Sequence, residues 1–283
     1  AMMQDGKALQ AGTSHFLGQN FATAQNIRFQ DKDGQTAFAW TTSWGLSTRM
    51  IGGIIMVHGD DDGLRLPPVV APRQVVIVPM LRDNDEDEAI LAYCKAIAAD
   101  LARQSAFGEP VRVLVDTKAT KAAGKRWSWV KKGAPIIVEV GGRDLAAGNV
   151  SALRRDRLYT PEGKLASTIV ARDAFVAGVP ATLEEIQANL HGEAKARLEA
   201  AIRRDVTDFA GVEAFFAEGV AKPGWLEVEW ARPTGAELER VVERLKALKL
   251  TLRNVPLDAA AATGTCVFTG TPAVERVLIG RAY

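Results

Sequence analysis

Three short apolar runs, separated by segments of helical spacing, constrain the fold of this chain more than any other feature. They read VVIVPM from residue 75, PVRVLVD from residue 110 and APIIVEV from residue 134. Between the first two, helical spacing relates Ile90, Leu91, Ile97 and Leu101. Buried strands that alternate with helices predict an α/β domain with a largely parallel sheet.

The segment before these runs has the pattern of an antiparallel sheet. FAWTTSWGL, residues 38–46, alternates aromatic or branched residues with small polar ones, and the turn DKDGQ precedes it. RMIGGIIMVHG, residues 49–59, then has the apolar spacing of a helix. Prolines at positions 67, 68 and 72 interrupt regular structure and mark a first domain boundary.

The last third of the chain predicts a helix and then a small α+β unit. Residues 181–206 form an amphipathic pattern, with Thr182 as N-cap and Glu185 completing a capping box. WLEVEWA, LTLRNVPL and RVLIGRAY follow, with a helix near residues 235–247. We therefore predict a multidomain α/β and α+β chain, with domains at residues 1–71, 72–172 and 173–283.

Composition excludes several classes of protein. The net charge of +1 provides no overall field for a polyanionic partner, so a nucleic-acid surface has to be local. Cys94 and Cys266 lie far apart and neither belongs to a CxxC pair, which is typical of a reducing cytoplasm. No run of about 18 apolar residues occurs, so a membrane span is not predicted.

Two segments carry residues suited to ligand binding. QAGTSHFLGQNF, from Gln10, combines small residues with hydrogen-bonding side chains, although this segment read alone favours a polar turn with a histidine bonded to main chain. TTSWGLSTRMIG, from Thr41, places Arg49 after a small-residue turn, where a guanidinium can hold a phosphate. Read singly, Trp44 is compatible with core packing and Arg49 with a surface salt bridge.

Together these segments resemble the end of the catalytic domain of class II prolyl-tRNA synthetases of the archaeal and eukaryotic type. SWGLSTR, followed by HGDDDGLRLPPVVAP, is similar to the third class II motif. The resemblance implies ATP with Mg²⁺ as a substrate complex, proline as co-substrate, and Arg49 and His15 as catalytic residues. The substrate-binding residues that it implies are Gln10, Thr13, His15, Ser43, Trp44, Gly45, Thr48 and Arg49.

The resemblance continues into an α/β anticodon-binding domain, through KRWSWVKKGAPIIVEVGGRD. It implies tRNA contacts from Lys125, Arg126, Trp129, Glu139, Arg143, Asp144, Arg154 and Arg155. The sequence departs from the family pattern at Arg126, Val130 and Ile137, and a lost acid at position 130 removes a partner for a guanine edge. A solvated basic loop with two core tryptophans is the alternative.

Two segments contain residue types that can bind metals, but neither predicts a metal site. His58 and Asp60–Asp62 contain consecutive acids that point in different directions, so a role at the helix end and in the following loop is favoured. The third domain resembles a C-terminal extension that often holds zinc through four cysteines. Only Cys266 remains of that pattern, so we expect no zinc.

The resemblance predicts a proline–tRNA ligase, an enzyme of protein biosynthesis located in the cytoplasm. Because the first two class II motifs are absent, we expect a fragment that is inactive alone, from a parent that forms homodimers. The alternative is a non-catalytic tRNA-binding or regulatory paralogue. In the family, the final tyrosine folds back towards the catalytic domain, which implies a stabilising role for Tyr283 and its carboxylate.

Overall fold

The computed structural model describes residues 1–118, 120–219 and 222–282, and within them the chain divides into two compact units. One unit combines Ala1–Gly53 with the chain from Ala200 onward, and the other is Ile54–Glu199. Tyr283, for which the family resemblance implies a stabilising role, lies outside the described residues. In these ranges no helix is both long and apolar enough to cross a membrane.

The N-terminal segment is built from antiparallel strand pairs and two helices. β1 pairs with β4, and the turn DKDGQ joins β2 to β3 as predicted. Helix α2 also forms where the sequence predicts it. The elements are β1 (Gly12–Gly18), α1 (Asn20–Ala24), β2 (Arg28–Gln30), β3 (Thr36–Phe38), β4 (Thr41–Leu46) and α2 (Arg49–His58).

The second unit is a five-stranded mixed sheet, formed by β5, β8, β9, β10 and β11. The three apolar runs of the sequence become its parallel strands β5, β8 and β9, while β10 and β11 add antiparallel. The elements are β5 (Val75–Pro79), α3 (Asp87–Ala102), β6 (Ser105–Ala106), β7 (Glu109–Pro110), β8 (Val113–Val115), α4 (Ala122–Lys131), β9 (Ile136–Val140), α5 (Gly142–Ala147), β10 (Asn149–Arg154), β11 (Thr168–Ala171) and α6 (Arg172–Ala200).

Helices cover both faces of this sheet, which explains why its parallel strands read as continuous apolar runs. Val75 and Ile77 pack with α3 and α6 in one cluster, whereas Val76 and Val78 pack with α4 in another. The alternation continues in β9, where Ile137 belongs to the α4 side. Glu139, two residues further on, therefore lies on that side as well.

Helix α6 begins ten residues before the predicted N-cap. Thr182 lies in its interior, where its hydroxyl donates to the carbonyl of Gly178 at 3.0 Å, and Pro180 lies inside the helix as well. A proline in a helix interior costs about 3 kcal/mol. Burial of one apolar stripe against the sheet offsets that cost; its members are Phe175, Val176, Val179, Leu183, Ile186 and Leu190.

The rest of the first unit is a four-stranded sheet in the order β12-β13-β15-β14. Its elements are β12 (Ile202–Arg203), α7 (Phe209–Phe215), β13 (Trp225–Trp230), α8 (Gly235–Ala247), β14 (Leu250–Asn254) and β15 (Glu275–Arg281). At the end of β15, the amide of Ala8 donates to the carbonyl of Arg281 at 2.9 Å, and Ala8 forms a β-bridge with Ala282. The N-terminal segment is thereby bonded to this sheet.

Candidate active site and nucleic-acid interface

A cavity of about 370 Å³ lies beside the β1–β4 pair. The register sets Thr13 opposite Gly45 and His15 opposite Ser43, and all four residues line the cavity. Directly opposed residues in an antiparallel pair share a face, so this alternation brings the two sequence segments together. Six of the eight predicted substrate-binding residues are among its walls: Gln10, Thr13, His15, Ser43, Gly45 and Arg49.

Trp44 and Thr48 have other positions. Trp44 pairs with Ser14, one residue out of phase with the cavity wall, and the residue is 76% exposed. It therefore faces away from the cavity and is not packed in a core. Thr48 is exposed just before α2, where its carbonyl accepts from the amide of Ile51 at 3.0 Å.

Polar groups of this cavity are available to a ligand. Arg49 is the first residue of α2, it is exposed, and its amide donates to the hydroxyl of Ser47 at 3.3 Å. In the described part of the chain its guanidinium has no acidic partner, so the salt bridge considered from the sequence is not formed. Gln10 donates to the hydroxyl of Thr13 at 2.8 Å. A helix N-terminus next to a free guanidinium favours an anionic ligand.

The acidic run after α2 takes part in an ion pair with a buried arginine. Asp60 accepts from both terminal nitrogens of Arg155, one of them at 2.7 Å, while Arg155 Nε donates to the carbonyl of Val130 at 3.1 Å. Partial burial raises the pKa of Asp60, but the bonds and charge of Arg155 outweigh it and lower that pKa below its ordinary value. Burial, together with nearby Arg197 and Arg65, lowers the pKa of His58.

In the parts of the chain that the structure describes, no group of three or more His, Cys, Asp or Glu residues could hold a metal ion. Cys266 is buried in the core of the four-stranded sheet. Burial raises the pKa of the Cys94 thiol to about 12, so this cysteine is an inert core residue.

Three of the predicted tRNA-binding cations are held within the protein. Lys125 is 4% exposed and donates to the carbonyl of Asp116 at 3.0 Å, and Arg155 is 2% exposed. Arg154 donates to Asp156 and to Glu185, at 2.9 and 2.6 Å. These contacts give the three side chains structural partners within the protein, so the candidate nucleic-acid surface is formed by other residues.

The remaining predicted residues gather near the carboxyl ends of the parallel strands. Arg126 Nη1 donates to both oxygens of Glu139, at 3.0 and 3.1 Å. The indole of Trp129 donates to Asp116 at 2.7 Å, a bond that sequence reasoning missed although Asp116 ends the run PVRVLVD. Partial burial raises the pKa of Asp116, but this bond and the amide of Lys118 bring the pKa below its ordinary value.

A cavity of about 490 Å³ lies beyond the carboxyl ends of β5 and β9. Arg143 and Asp144, from the first turn of α5, line it together with Arg82. Asp144 accepts from the amide of Gly141 at 2.9 Å and so fixes the turn, whereas the side chain of Arg143 is exposed. Crevices at the carboxyl ends of strands are where open α/β sheets bind ligands.

Two of the family departures are core residues. Val130 and Ile137 are buried in the apolar cluster between α4 and the sheet. Arg126 differs from them, because it is partly exposed and paired with Glu139. Of these three departures from the family pattern, only Arg126 therefore changes the charge at the surface of the domain.

Comparison with known proteins agrees with the resemblance seen in the sequence. Residues 74–170 match the family model of an anticodon binding domain. All 283 residues align with proline–tRNA ligases, at 66% identity in Sphingomonas elodea, 66% in Sphingopyxis alaskensis and 44% in Paramagnetospirillum magneticum. The chain spans about half of these relatives' length, namely 56%, 53% and 54%. The predicted similarity to proline–tRNA ligases is confirmed, while the archaeal and eukaryotic subtype stays a prediction.

Proposed function

Because the chain is homologous along its whole length to proline–tRNA ligases, we propose that it serves the ATP-dependent activation of proline and its transfer to proline tRNA. The 66% identity over all 283 residues carries this proposal. The cavity beside β1 and β4 supports it, since Gln10, His15 and Arg49 lie on its wall. We further propose a cytoplasmic location, a homodimeric enzyme and domains at residues 1–71, 72–172 and 173–283.

In the proposed mechanism, the residues of this cavity position substrates and stabilise charge. Arg49, with the N-terminus of α2, binds the phosphates and neutralises charge as the proline carboxylate attacks the α-phosphorus and pyrophosphate leaves. Gln10, Thr13 and His15 supply hydrogen bonds that orient proline and the adenylate. Mg²⁺ bound with the ATP substrate would screen the charge of the triphosphate. No nucleophilic side chain is required.

For the tRNA, we propose a binding surface at the carboxyl ends of β5 and β9. Arg143 supplies an exposed cation there, and Asp144 holds the turn that presents it. Arg126, Trp129 and Glu139 supply planar and charged groups on the α4 side of the same sheet. Phosphate contacts combined with planar groups for unstacked bases are what single-stranded anticodon loops require.

The Arg143→Gln variant tests this surface. Loss of one charge-assisted phosphate contact is expected to weaken binding of proline tRNA by about tenfold at low salt. Arg73→Gln is the matched control, because Arg73 is an exposed arginine of the same unit that precedes β5, at the opposite end of the sheet. Filter binding at several salt concentrations measures both. Equal affinities for the two variants would remove Arg143 from the surface, and no binding of tRNA by the unaltered chain would refute the proposal.

Reading of the anticodon is tested separately, at Arg126. Both oxygens of Glu139 accept from Arg126, so this acid is engaged and less available to a base edge. We expect Arg126→Phe to release Glu139 and to change the ratio of affinities for two proline isoacceptors by about threefold or more. Gel-shift titrations with both tRNAs measure that ratio. An unchanged ratio would show that the pair has no part in base discrimination.

A further inference from the structure

A cavity of about 420 Å³ lies between helix α6 and the edge strand β11 of the five-stranded sheet. All of its walls belong to the unit Ile54–Glu199. They include Ile136, the first residue of β9, so the cavity lies at the end of the sheet opposite to the candidate tRNA surface. It shares no lining residue with the cavity at Arg143 or with the cavity at Arg49.

Helix α6 contributes small residues to this cavity. Ala174, Gly178 and Thr182 line it, and their regular spacing, one turn apart, places them on one stripe of the helix. A Cβ atom added at Gly178 would meet nothing within 4 Å. The stripe beside it is different, because Val179 and Leu183 are buried in the main apolar cluster. The helix thus packs closely against the sheet along one stripe and leaves a gap along the next.

The sheet forms the opposite wall of the gap. In the register of β10 and β11, Ala152 lies opposite Thr168, and both residues line the cavity together with Val170. Ala152 and Val170 pack against the main apolar cluster but are only partly buried. Protein interiors are close-packed, so an apolar gap beside a core is an exception. Its volume lies in the range of about 300–1,000 Å³ that small-molecule pockets have.

Two arginines, Arg154 and Arg157, lie among the walls, and they differ in how far their donors are engaged. Each nitrogen of the Arg154 guanidinium is bonded, with Nε and Nη2 donating to Asp156 and Nη1 to Glu185. The described contact of Arg157 is an ion pair of Nη1 with Glu185 at 3.2 Å, and its side chain is 60% exposed. Its Nε and Nη2 can therefore donate to a ligand. Asp156 and Glu185 repel a second negative charge, which favours a carboxylate over a dianionic phosphate.

We propose that this cavity binds a small carboxylate that carries an aromatic or branched aliphatic group. The apolar group fills the gap beside Gly178 and contacts Val170, and the carboxylate accepts hydrogen bonds from the exposed Arg157. Burial of the apolar group supplies most of the affinity, whereas the partly exposed ion pair sets the orientation of the ligand. The site does not depend on the proposed ligase function, because its walls are separate from the candidate active site and tRNA surface.

The test follows the methyl signals of Ala152 and Val170 by NMR in methyl-labelled chain, with assignments from Ala152→Gly and Val170→Ala. Benzoate and its neutral isostere benzamide are titrated at constant ionic strength. Saturable shifts are expected with both, and benzoate should bind about threefold more tightly, because a partly exposed ion pair is weak. Arg157→Gln should abolish this preference. Arg103→Gln is the matched control, since Arg103 is an exposed arginine of the same unit that pairs with Asp100 and does not line the cavity.

Filling the gap tests the apolar part of the site. Gly178→Leu, with Ala174→Leu as a second variant, should weaken the binding of both probes by about tenfold or more, because the added side chain occupies the cavity. Gly192→Leu is the control, since Gly192 is an exposed glycine of the same helix that does not line the cavity. Unshifted methyl signals of Val76 and Val78, in the cluster on the other face of the sheet, verify that the variants are folded.

Three outcomes would contradict this proposal. The absence of a saturable shift of the Ala152 and Val170 signals with either probe would show that the cavity binds no such ligand. Unchanged affinities in both Gly178→Leu and Ala174→Leu would place the probes elsewhere on the chain. Equal affinities for benzoate and benzamide in the unaltered chain would show that Arg157 does not bind a carboxylate.

Discussion

Replacement of Arg49 by alanine is expected to lower proline-dependent pyrophosphate exchange by about 10²–10³-fold, the usual effect of removing one donor to a developing negative charge. The substitution is made in a full-length chimera, in which this chain replaces the matching part of the Sphingomonas elodea ligase, a relative of 66% identity. Arg49 has no acidic partner among the described residues, so its charge is available to the triphosphate. The loss should lie mainly in kcat, because the charge acts most strongly in the transition state.

Arg28→Ala is the control for this variant. Arg28 is an exposed arginine of the same unit, in the β2–β3 hairpin, and it donates to Asn26. Exchange by this variant should equal that of the unaltered chimera. If Arg49→Ala exchanged pyrophosphate at the same rate, Arg49 would not bind ATP. A chimera with no exchange at all would favour the non-catalytic alternative for this chain.

Most of the fold could be predicted from the sequence, because burial on both sides of a sheet leaves a plain pattern. Within the strands β5, β8 and β9 the runs are apolar except at Glu139, and the turn DKDGQ joins a hairpin. The predicted start of α6, at Thr182, was wrong. The capping residues at Thr182 contribute less free energy than the burial of an apolar stripe against the sheet, and that stripe continues through Pro180.

The candidate site could be predicted where strand register determines it. The register of β1 and β4 places alternate residues on one face of the pair, among them Thr13, His15, Ser43 and Gly45. The sequence alone did not show that Trp44 lies on the opposite face. The roles of the cationic side chains were harder to predict. Arg155 and Arg143 read alike in the sequence, and only tertiary contacts distinguish a guanidinium buried against Asp60 from an exposed one.

The ion pair of Arg155 and Asp60 is expected to have the largest effect on stability. Asp60→Ala should lower the free energy of unfolding of residues 54–199 by about 3 kcal/mol, because Arg155, at 2% exposure, would keep a buried charge without a counterion. Asp61→Ala is the matched control, an exposed acid next in sequence. Hydrogen exchange of β9 and β10, followed by mass spectrometry in increasing denaturant, reports this unit separately.

A double variant and a pH series distinguish two causes of the loss of stability in Asp60→Ala. One is the uncompensated charge of Arg155, and the other is the loss of its contact with Asp60. Adding Arg155→Met to Asp60→Ala removes the uncompensated charge, so the double variant should be more stable than Asp60→Ala alone.

In the unaltered chain, the pKa of Asp60 is below its ordinary value near 3.8, and so is that of Asp156, despite the opposing effect of burial. The folded state therefore binds fewer protons, and stability should be full above pH 4 and fall as pH drops through the folded-state values. Asp60→Ala should flatten part of that fall; a double variant less stable than Asp60→Ala, or an unchanged pH profile, would show that the pair does not stabilise this unit.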